Sequence, residues 1–214
     1  MIASGPTVAP VGTRAEAADL ARRLGIWERL PEVARAVLRQ PEDRRALPPA
    51  RNILIGSNAL LVAAMVAAGA DPAPLPLAGD VQDCARAIWA LAPGLRPGQA
   101  LAFGGETTVR LVGDGMGGRN QELALRLALL AEAQPVNFGW AFAAVGCDGR
   151  DGPGEAAGGL VGPGTPAAIR AGGIDPAAAL ARNDSTPALA AGDALVLTGA
   201  TGTNVADLAV LVRG

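Results

Sequence analysis

Residues 113–146 read GDGMGGRNQELALRLALLAEAQPVNFGWAFAAVG, and the fold prediction depends mainly on this stretch. After its glycine-rich start, a helix is predicted from Asn120 to Ala133, with Leu123, Leu127 and Leu130 on one face. Trp140 to Val145 form a continuous apolar run typical of a buried strand. Helices alternating with strands in this way predict an α/β fold.

Similar local patterns occur upstream of this stretch. Thr13 is a candidate N-cap with Glu16 three residues later, and Leu20, Leu24 and Trp27 follow at helical spacing, which predicts one buried face. Further upstream elements are predicted from caps and turn residues. They are a turn at 2–7, a helix from Pro31 to Arg39, a surface loop over 40–51, a buried strand from Ile53 to Ile55, a helix capped by Ser57 or Asn58, a short strand within 70–80 and a helix from Val81 to Leu91.

A domain boundary is predicted at residues 93–99, which contain two prolines and two glycines. This boundary separates a first region, 1–92, from a second, 100–214. In the second region we expect strands from Ala100 to Phe103, from Thr107 to Val112 and from Ala194 to Thr198.

The composition excludes several classes of site. The 214 residues include no histidine, lysine or tyrosine, so a Ser-His-Asp site and a His-ligated metal are excluded within this chain. The net charge of −2 comes without a basic cluster, which argues against a nucleic-acid partner. No apolar run reaches the roughly 20 residues of a membrane span, and no secretory signal is visible. Cys84 and Cys147 lack metal-ligand spacing and are expected to be reduced thiols of a cytoplasmic protein.

The first candidate site is GDGMGGRNQE at Gly113 to Glu122. A glycine loop that enters a helix can point free backbone N–H groups, here of Gly117, Gly118 and Asn120, at an anion. Arg119 would add a bidentate partner for a phosphate or carboxylate. Taken alone, the same residues also fit a flexible hairpin before a capped helix.

The second candidate is GCDGRDGPGEAAG at Gly146 to Gly158, directly after the predicted strand. Asp148 and Asp151 can share a magnesium ion there, or divide the roles of metal ligand and general base. Two solvated aspartates in an Asx-type turn are the alternative. The remaining polar loops are GGETTV with Glu106, NDST with Asn183 and Asp184, and TGATGTNVADL with Thr201, Thr203 and Asn204, the last placed before a predicted helix.

The motifs GGETTV, GGRNQELAL, DGRDGP followed by AAG, NDS and TGTNVADL, in this order, resemble the C-terminal MOFRL domain of glycerate 2-kinases, which are also called hydroxypyruvate reductases. IASGPT and NILIGSNA resemble segments that precede that domain in the family. The resemblance therefore implies that 1–92 is the remnant of a Rossmann-like N-terminal domain and that 100–214 is an α/β MOFRL domain.

The resemblance also implies a reaction, the phosphorylation of D-glycerate to 2-phosphoglycerate with ATP and magnesium. Arg119 would hold a phosphate or the glycerate carboxylate, and Asp148 or Asp151 would bind magnesium or orient the attacking hydroxyl. Asn204, Thr201 and Thr203 would line the same cleft.

The resemblance further implies that most of an N-terminal domain is missing, together with a lysine-containing loop. We expect the chain alone to be inactive, and we expect the surface left uncovered to favour a homodimer or aggregation. Two other functions remain open: a stand-alone ligand-binding or regulatory module, and a reductase that acts on hydroxypyruvate.

Overall fold

The computed structural model describes residues 7–42 and 49–214, and the chain divides into two compact units, one up to Ile55 and one from Gly56 onward. Residues 2–6 of the predicted first turn and residues 43–48 of the predicted 40–51 loop lie outside the described residues. Among the described helices, none is long and apolar enough to cross a membrane.

The first unit is helical in its described part. Its elements are α1 (Arg14–Arg23), a short 3₁₀ helix (Trp27–Arg29) and α2 (Glu32–Leu38). The capping box at the start of α1 is confirmed, because the Thr13 hydroxyl accepts from the Glu16 N–H and the Glu16 carboxylate accepts from the Thr13 N–H. The second predicted helix is present as α2, but Pro31 is its N-cap residue and does not lie in its first turn as predicted.

The buried face of α1 differs from the prediction. Ala18 and Ala21 pack with Trp27, whereas Leu24 is 62% exposed and Leu20 is also exposed. The small alanine side chains lie against the indole ring, so the leucines remain on the outside. The apolar run at 53–55 was also predicted wrongly: it forms no strand, and Ile55 is 94% exposed. No strand in the described ranges pairs with this run, so its backbone has no sheet to join.

The second unit contains a six-stranded mixed sheet with helices. Its elements are α3 (Asn58–Ala67), β1 (Asp71–Pro72), α4 (Val81–Trp89), a 3₁₀ turn (Ala92–Gly94), β2 (Ala100–Gly105), α5 (Arg119–Ala133), β3 (Trp140–Gly146), β4 (Gly158–Val161), α6 (Thr165–Ala171), α7 (Pro176–Ala181), α8 (Ser185–Ala191), β5 (Leu195–Val196) and β6 (Asp207–Arg213). The strand order is β1-β2-β6-β3-β4-β5, and only the β1–β2 pair is parallel. The α/β class is confirmed, with an antiparallel centre.

The core of this unit lies between α4, α5 and one face of the sheet. Leu123 and Leu127 on α5 are fully buried there, together with Phe103 on β2 and Phe142 on β3. Strand β3 alternates buried and partly buried residues, as expected for strands of an antiparallel sheet with unequally covered faces. Helix α3 contacts β2 from the other face, at Gly104.

Residues 93–99 do not separate two compact units. Helix α4 before this segment packs on α5, and strand β2 after it belongs to the same core. Leu95, within the segment, is itself buried in that core. The contacts divide the chain after Ile55 instead, because the apolar residues on both sides of 93–99 share one hydrophobic cluster.

Two further sequence predictions differ from the structure in the loops around the site. The predicted strand from Thr107 to Val112 does not form: Thr108 makes only an isolated bridge with Asp80, and the Val112 N–H donates to the Asn183 side chain and not to a neighbouring strand. The segment after TGATGTN is strand β6 and not a helix. Its residues DLAVLVR are buried at every second position over most of its length, which is the period of a strand.

Candidate functional site

One cleft of about 790 Å³ in the second unit collects most of the predicted site residues. They reach it from separate loops along the sequence. The predicted residues that line it are Glu106, Gly117, Gly118, Arg119, Asp148, Asp151, Asn183 and Asn204. Of the remaining candidates, Asn120 is buried beside this cleft, and Asp184, Thr201 and Thr203 support the surrounding loops.

The N-terminus of α5 is capped by a residue from a distant loop. The Asp151 carboxylate accepts from the backbone N–H groups of Asn120 at 3.1 Å and Gln121 at 2.8 Å. It also accepts from the Asn120 amide, and its own backbone carbonyl accepts from the Gln121 amide. Since the residue at the N-cap position is Gly118, which has no side chain, Asp151 takes over the capping role.

Asp151 is 4% exposed, and its surroundings act on its ionisation in two directions. Burial raises the pKa of its carboxyl group, whereas the N–H groups of Gln121 and Asn120 oppose this rise. Three N–H groups already point at its two oxygens, so little acceptor capacity remains for a ligand.

The glycines of the 113–118 loop allow close packing of the loop on its neighbours. A Cβ atom at Gly118 would lie 2.3 Å from Asp151 Cγ, and one at Gly117 would lie 2.3 Å from Ser185 Oγ. Within the described ranges, no group accepts from the backbone N–H groups of Gly117, Gly118 and Arg119. These three donors border the cleft and are available to an anion.

Arg119 is the first residue of α5 and contacts two carboxylates. Its Nε and Nη2 donate to the two oxygens of Asp207, with 3.0 Å between Nη2 and Oδ1. Its Nη1 lies 2.8 Å from Glu106 Oε1. The hydrogen bond to Asp207 raises the pKa of Arg119, so the guanidinium is permanently charged.

The NDS motif anchors the glycine-rich loop. Asn183 Oδ1 accepts from the N–H groups of Val112 and Gly113, and its Nδ2 donates to Glu122. Asp184 Oδ1 accepts from the Met116 N–H at 2.8 Å. Asn183 has a φ of 56°, in the left-handed region that asparagine tolerates better than most residues. These contacts position the loop, and Asn183 also borders the cleft.

The loop before β6 forms the side of the cleft next to Asp148. Asn204 Nδ2 donates to Asp148 Oδ2 at 3.0 Å, and the Arg150 N–H donates to Asp148 Oδ1 at 3.0 Å. The Thr201 hydroxyl donates to the Cys147 carbonyl, so this threonine stabilises the loop. Each oxygen of Asp148 has one such donor, and the residue remains partly exposed in the cleft.

The two aspartates differ in their fitness for magnesium. Asp148 retains acceptor capacity on both oxygens and faces the cleft, which suits an ion that is held by one carboxylate and by substrate phosphates. Asp151 does not fit, because its carboxylate is buried on the helix N-terminus. Within the described part of the chain, no three acidic or cysteine side chains form a metal cluster.

The sequence prediction missed Asp207 and Glu122. Asp207 is buried at the start of β6, and Glu122 is buried with Arg126 on one side and Asn183 on the other. For Glu122, the spacing of four residues to Arg126 on a helix is a visible signal. For Asp207 the signal is an aspartate at the start of an otherwise apolar strand.

Comparison with known proteins places the chain in a family. The MOFRL family model matches residues 99–207. The D-glycerate 2-kinase of Thermotoga maritima is 48% identical over 116 residues, which are 54% of this chain and 27% of the relative. A glycerate kinase of Macaca fascicularis is 34% identical over 99% of this chain and 68% of the relative.

A solved structure is similar to this chain in fold as well. The crystal structure of glycerate kinase from Thermotoga maritima has a TM-score of 0.77 and 34% identity, covering 99% of this chain and 53% of that chain. The chain spans about half the length of most curated relatives that match it throughout. The chain belongs to the MOFRL family, whose matched relatives include glycerate kinases.

Proposed function

We propose that the chain takes part in glycerate 2-kinase activity, the ATP-dependent phosphorylation of D-glycerate to 2-phosphoglycerate. The observation that carries this proposal is the convergence of five separate polar loops on one cleft that is centred on Arg119. The names of the two relatives described above support the same reaction. The start of the family match at residue 99 also supports the predicted MOFRL region from residue 100 onward.

The cleft provides what phosphoryl transfer needs from a protein. The reaction depends on positioning and on neutralising charge, and it requires no covalent intermediate with the protein. Arg119 supplies a fixed positive charge, and the N–H groups of Gly117 and Gly118, which have no acceptor within the described residues, supply hydrogen-bond donors. An anionic oxygen of glycerate or of a phosphate would bind at this point.

Asp148 and Asn204 would act within the same cleft. The amide of Asn204 fixes the Asp148 carboxylate, which can accept a proton from, or orient, the attacking hydroxyl of glycerate. A magnesium ion on Asp148 would neutralise phosphate charge. Asp151 would act indirectly, because it holds the start of α5 and thereby the position of Arg119.

The remaining polar candidates would shape the cleft. Asn183 and Asp184 hold the glycine-rich loop in place, and Thr201 holds the loop that carries Asn204. Thr203 lies in that same loop, where its backbone carbonyl lies 4.0 Å from Cys147 Sγ.

A reductase function is less well supported by the geometry. Gly113, Gly115 and Gly118 have the G-x-G-x-x-G spacing of dinucleotide-binding loops. That loop requires a preceding strand, and residues 109–112 form none. The close packing of Gly113 and Gly115 against the backbone of Arg182 accounts for glycine at these two positions without a bound pyrophosphate.

A chimera tests the kinase proposal directly. Residues 99–207 would replace the corresponding segment of the Thermotoga maritima D-glycerate 2-kinase, and ATP-dependent formation of 2-phosphoglycerate would be measured beside NADH oxidation with hydroxypyruvate. We expect kinase activity, and we expect Arg119→Lys to lower kcat/KM on the order of 10²-fold, nearly as much as Arg119→Ala.

Arg170→Ala is the matched control, because Arg170 also forms a two-bond pair with a carboxylate, Glu132, but lies outside the cleft. A folded chimera without kinase activity would contradict the proposal. Near-normal kinetics of Arg119→Lys would show that Arg119 is structural.

A further inference from the structure

Two carboxylates share the Arg119 guanidinium, and they differ in burial. Asp207 is 1% exposed and binds the edge formed by Nε and Nη2 with both oxygens. The Glu106 side chain is 56% exposed and contacts Nη1 with one oxygen. The other edge of the guanidinium, formed by Nη1 and Nη2, therefore has only one contact within the described residues, the exposed ion pair between Nη1 and Glu106.

The backbone of Asp207 is held firmly. Asp207 begins the central strand β6 and lies opposite Gly105 on β2 and Gly146 on β3. Its carbonyl accepts from the Asn58 amide at 2.8 Å. Since the start of α5 is held by Asp151, both ends of the Arg119–Asp207 pair are attached to rigid elements. The orientation of the guanidinium is then determined before any ligand arrives.

Glu106 is held much more loosely. It follows β2 directly, and its backbone N–H donates to the Leu77 carbonyl, but in the described structure its carboxylate contacts only Arg119. An exposed single ion pair contributes little stability, so this contact can be exchanged at low cost. The cleft opens at this position, since Glu106 and Arg119 both line it.

We propose that Asp207 is the positioning residue of Arg119, and that Glu106 is a displaceable stand-in for an anionic group of the substrate. On binding, a carboxylate or phosphate takes the Nη1–Nη2 edge and Glu106 turns into solvent, while Asp207 stays in place. This inference rests on the proposed function for the nature of the anion, but its test does not require catalysis.

Electrostatics alone would give a different result. Glu106→Gln and Asp207→Asn each remove one negative charge near Arg119, so a purely electrostatic effect would strengthen anion binding in both variants. The proposed arrangement predicts opposite changes in the anion Kd for the two variants. Removing the competitor frees the binding edge, whereas removing the positioning carboxylate lets the guanidinium lose its orientation.

The experiment is a titration of the full 214-residue chain with inorganic phosphate and, separately, with D-glycerate. The Arg119 Nε–H resonance is followed by ¹⁵N NMR and assigned by its loss in Arg119→Lys. We expect Glu106→Gln to lower Kd by roughly three- to ten-fold and Asp207→Asn to raise it by at least about ten-fold. Glu132→Gln removes a carboxylate from the same helix outside the cleft and should leave Kd unchanged.

Inorganic phosphate and D-glycerate distinguish the two possible sources of the anion, a phosphate group and the glycerate carboxylate. Glycerol serves as the uncharged comparison. Tighter binding in both variants, unchanged binding in Glu106→Gln, or no response to either anion in wild type and Glu106→Gln would each overturn the inference. If Asp207→Asn does not fold, Asp207→Glu takes its place: it keeps the charge but displaces the carboxylate, so the proposed arrangement predicts a higher Kd, whereas electrostatics alone predicts no change. The two variants could shift Kd in opposite directions while the chimera lacks kinase activity. That result would contradict the proposed function, and this inference would still hold.

Discussion

At the scale of single residues, Arg119 has a structural task besides its proposed catalytic one. The carboxylate of Asp207 is buried, and within the described residues Arg119 is its only cationic partner. Removal of Arg119 would leave an uncompensated buried charge, which is far more costly than the loss of an exposed ion pair. An arginine that merely covered the first turn of a helix would have no such partner.

Arg119→Ala should therefore lower the free energy of unfolding by about 2 to 4 kcal/mol, less than for a fully buried pair because the guanidinium is partly exposed. Urea denaturation followed by circular dichroism measures this change. Arg170→Ala, which breaks the solvent-exposed pair with Glu132, should leave stability almost unchanged. Equal effects of the two substitutions would show that Asp207 is not held by Arg119.

At the scale of elements, two contacts from distant loops organise the start of α5 and the loop before it. Asp151 caps the helix from the turn after β3, and Asn183 holds residues 110–113 from the turn before α8. Both side chains satisfy backbone groups that would otherwise be unpaired near the cleft. The shape of the cleft thus depends on side-chain contacts between loops.

Asp151→Ala should cost about 1 to 3 kcal/mol, because it removes a cap and leaves buried N–H groups without an acceptor. The amide protons of Asn120 and Gln121 should exchange faster in this variant, as measured by native-state hydrogen exchange. Asp175→Ala removes the exposed cap of α7 and should cost less. Unchanged exchange at Asn120 and Gln121 would refute the capping role of Asp151.

Asn183→Gly removes the side-chain contacts of Asn183 but leaves its backbone conformation accessible. Glycine adopts the left-handed φ of 56° easily, so the expected loss of about 1 to 3 kcal/mol comes from the missing amide contacts. Amide exchange at Val112 and Gly113 should accelerate.

Asp193→Gly is the matched control, because Asp193 has a φ of 50° and is exposed. Its stability should change by no more than about 0.5 kcal/mol. The role assigned to Asn183 would be wrong if both glycine variants behaved alike.

At the scale of the whole molecule, the second unit contains its own hydrophobic core. The core cluster runs from Leu77 to Leu211 and includes no residue of the first unit. A self-contained core of this kind is the main requirement for independent folding.

Residues 56–214 expressed alone should consequently fold cooperatively. We expect a single unfolding transition by circular dichroism and dispersed amide resonances. The Arg119 Nε–H resonance should keep its position, because both of its carboxylate partners are present. A molten state without dispersed resonances would show that residues before 56 are required for the fold.

The sequence by itself determined the elements that depend on neighbouring residues. It predicted the capping box at Thr13, a cap of α3 at Ser57 or Asn58, helix α5 and strand β3, because caps and periodicities act within a few residues. The structure places that cap at Ser57. The sequence also identified half of the residues that line the cleft, since polar residues in glycine-rich loops stand out in an apolar chain.

Only the tertiary structure decided what these residues do to one another. Arg119 and Asp207 are 88 residues apart, and the Asn183 side chain reaches Val112 across 71 residues. Asp151, predicted as a magnesium ligand, instead caps a helix that begins 32 positions earlier, at Arg119. No local pattern encodes such pairs, because a buried carboxylate takes whichever N–H group the packing of the sheet and α5 brings to it.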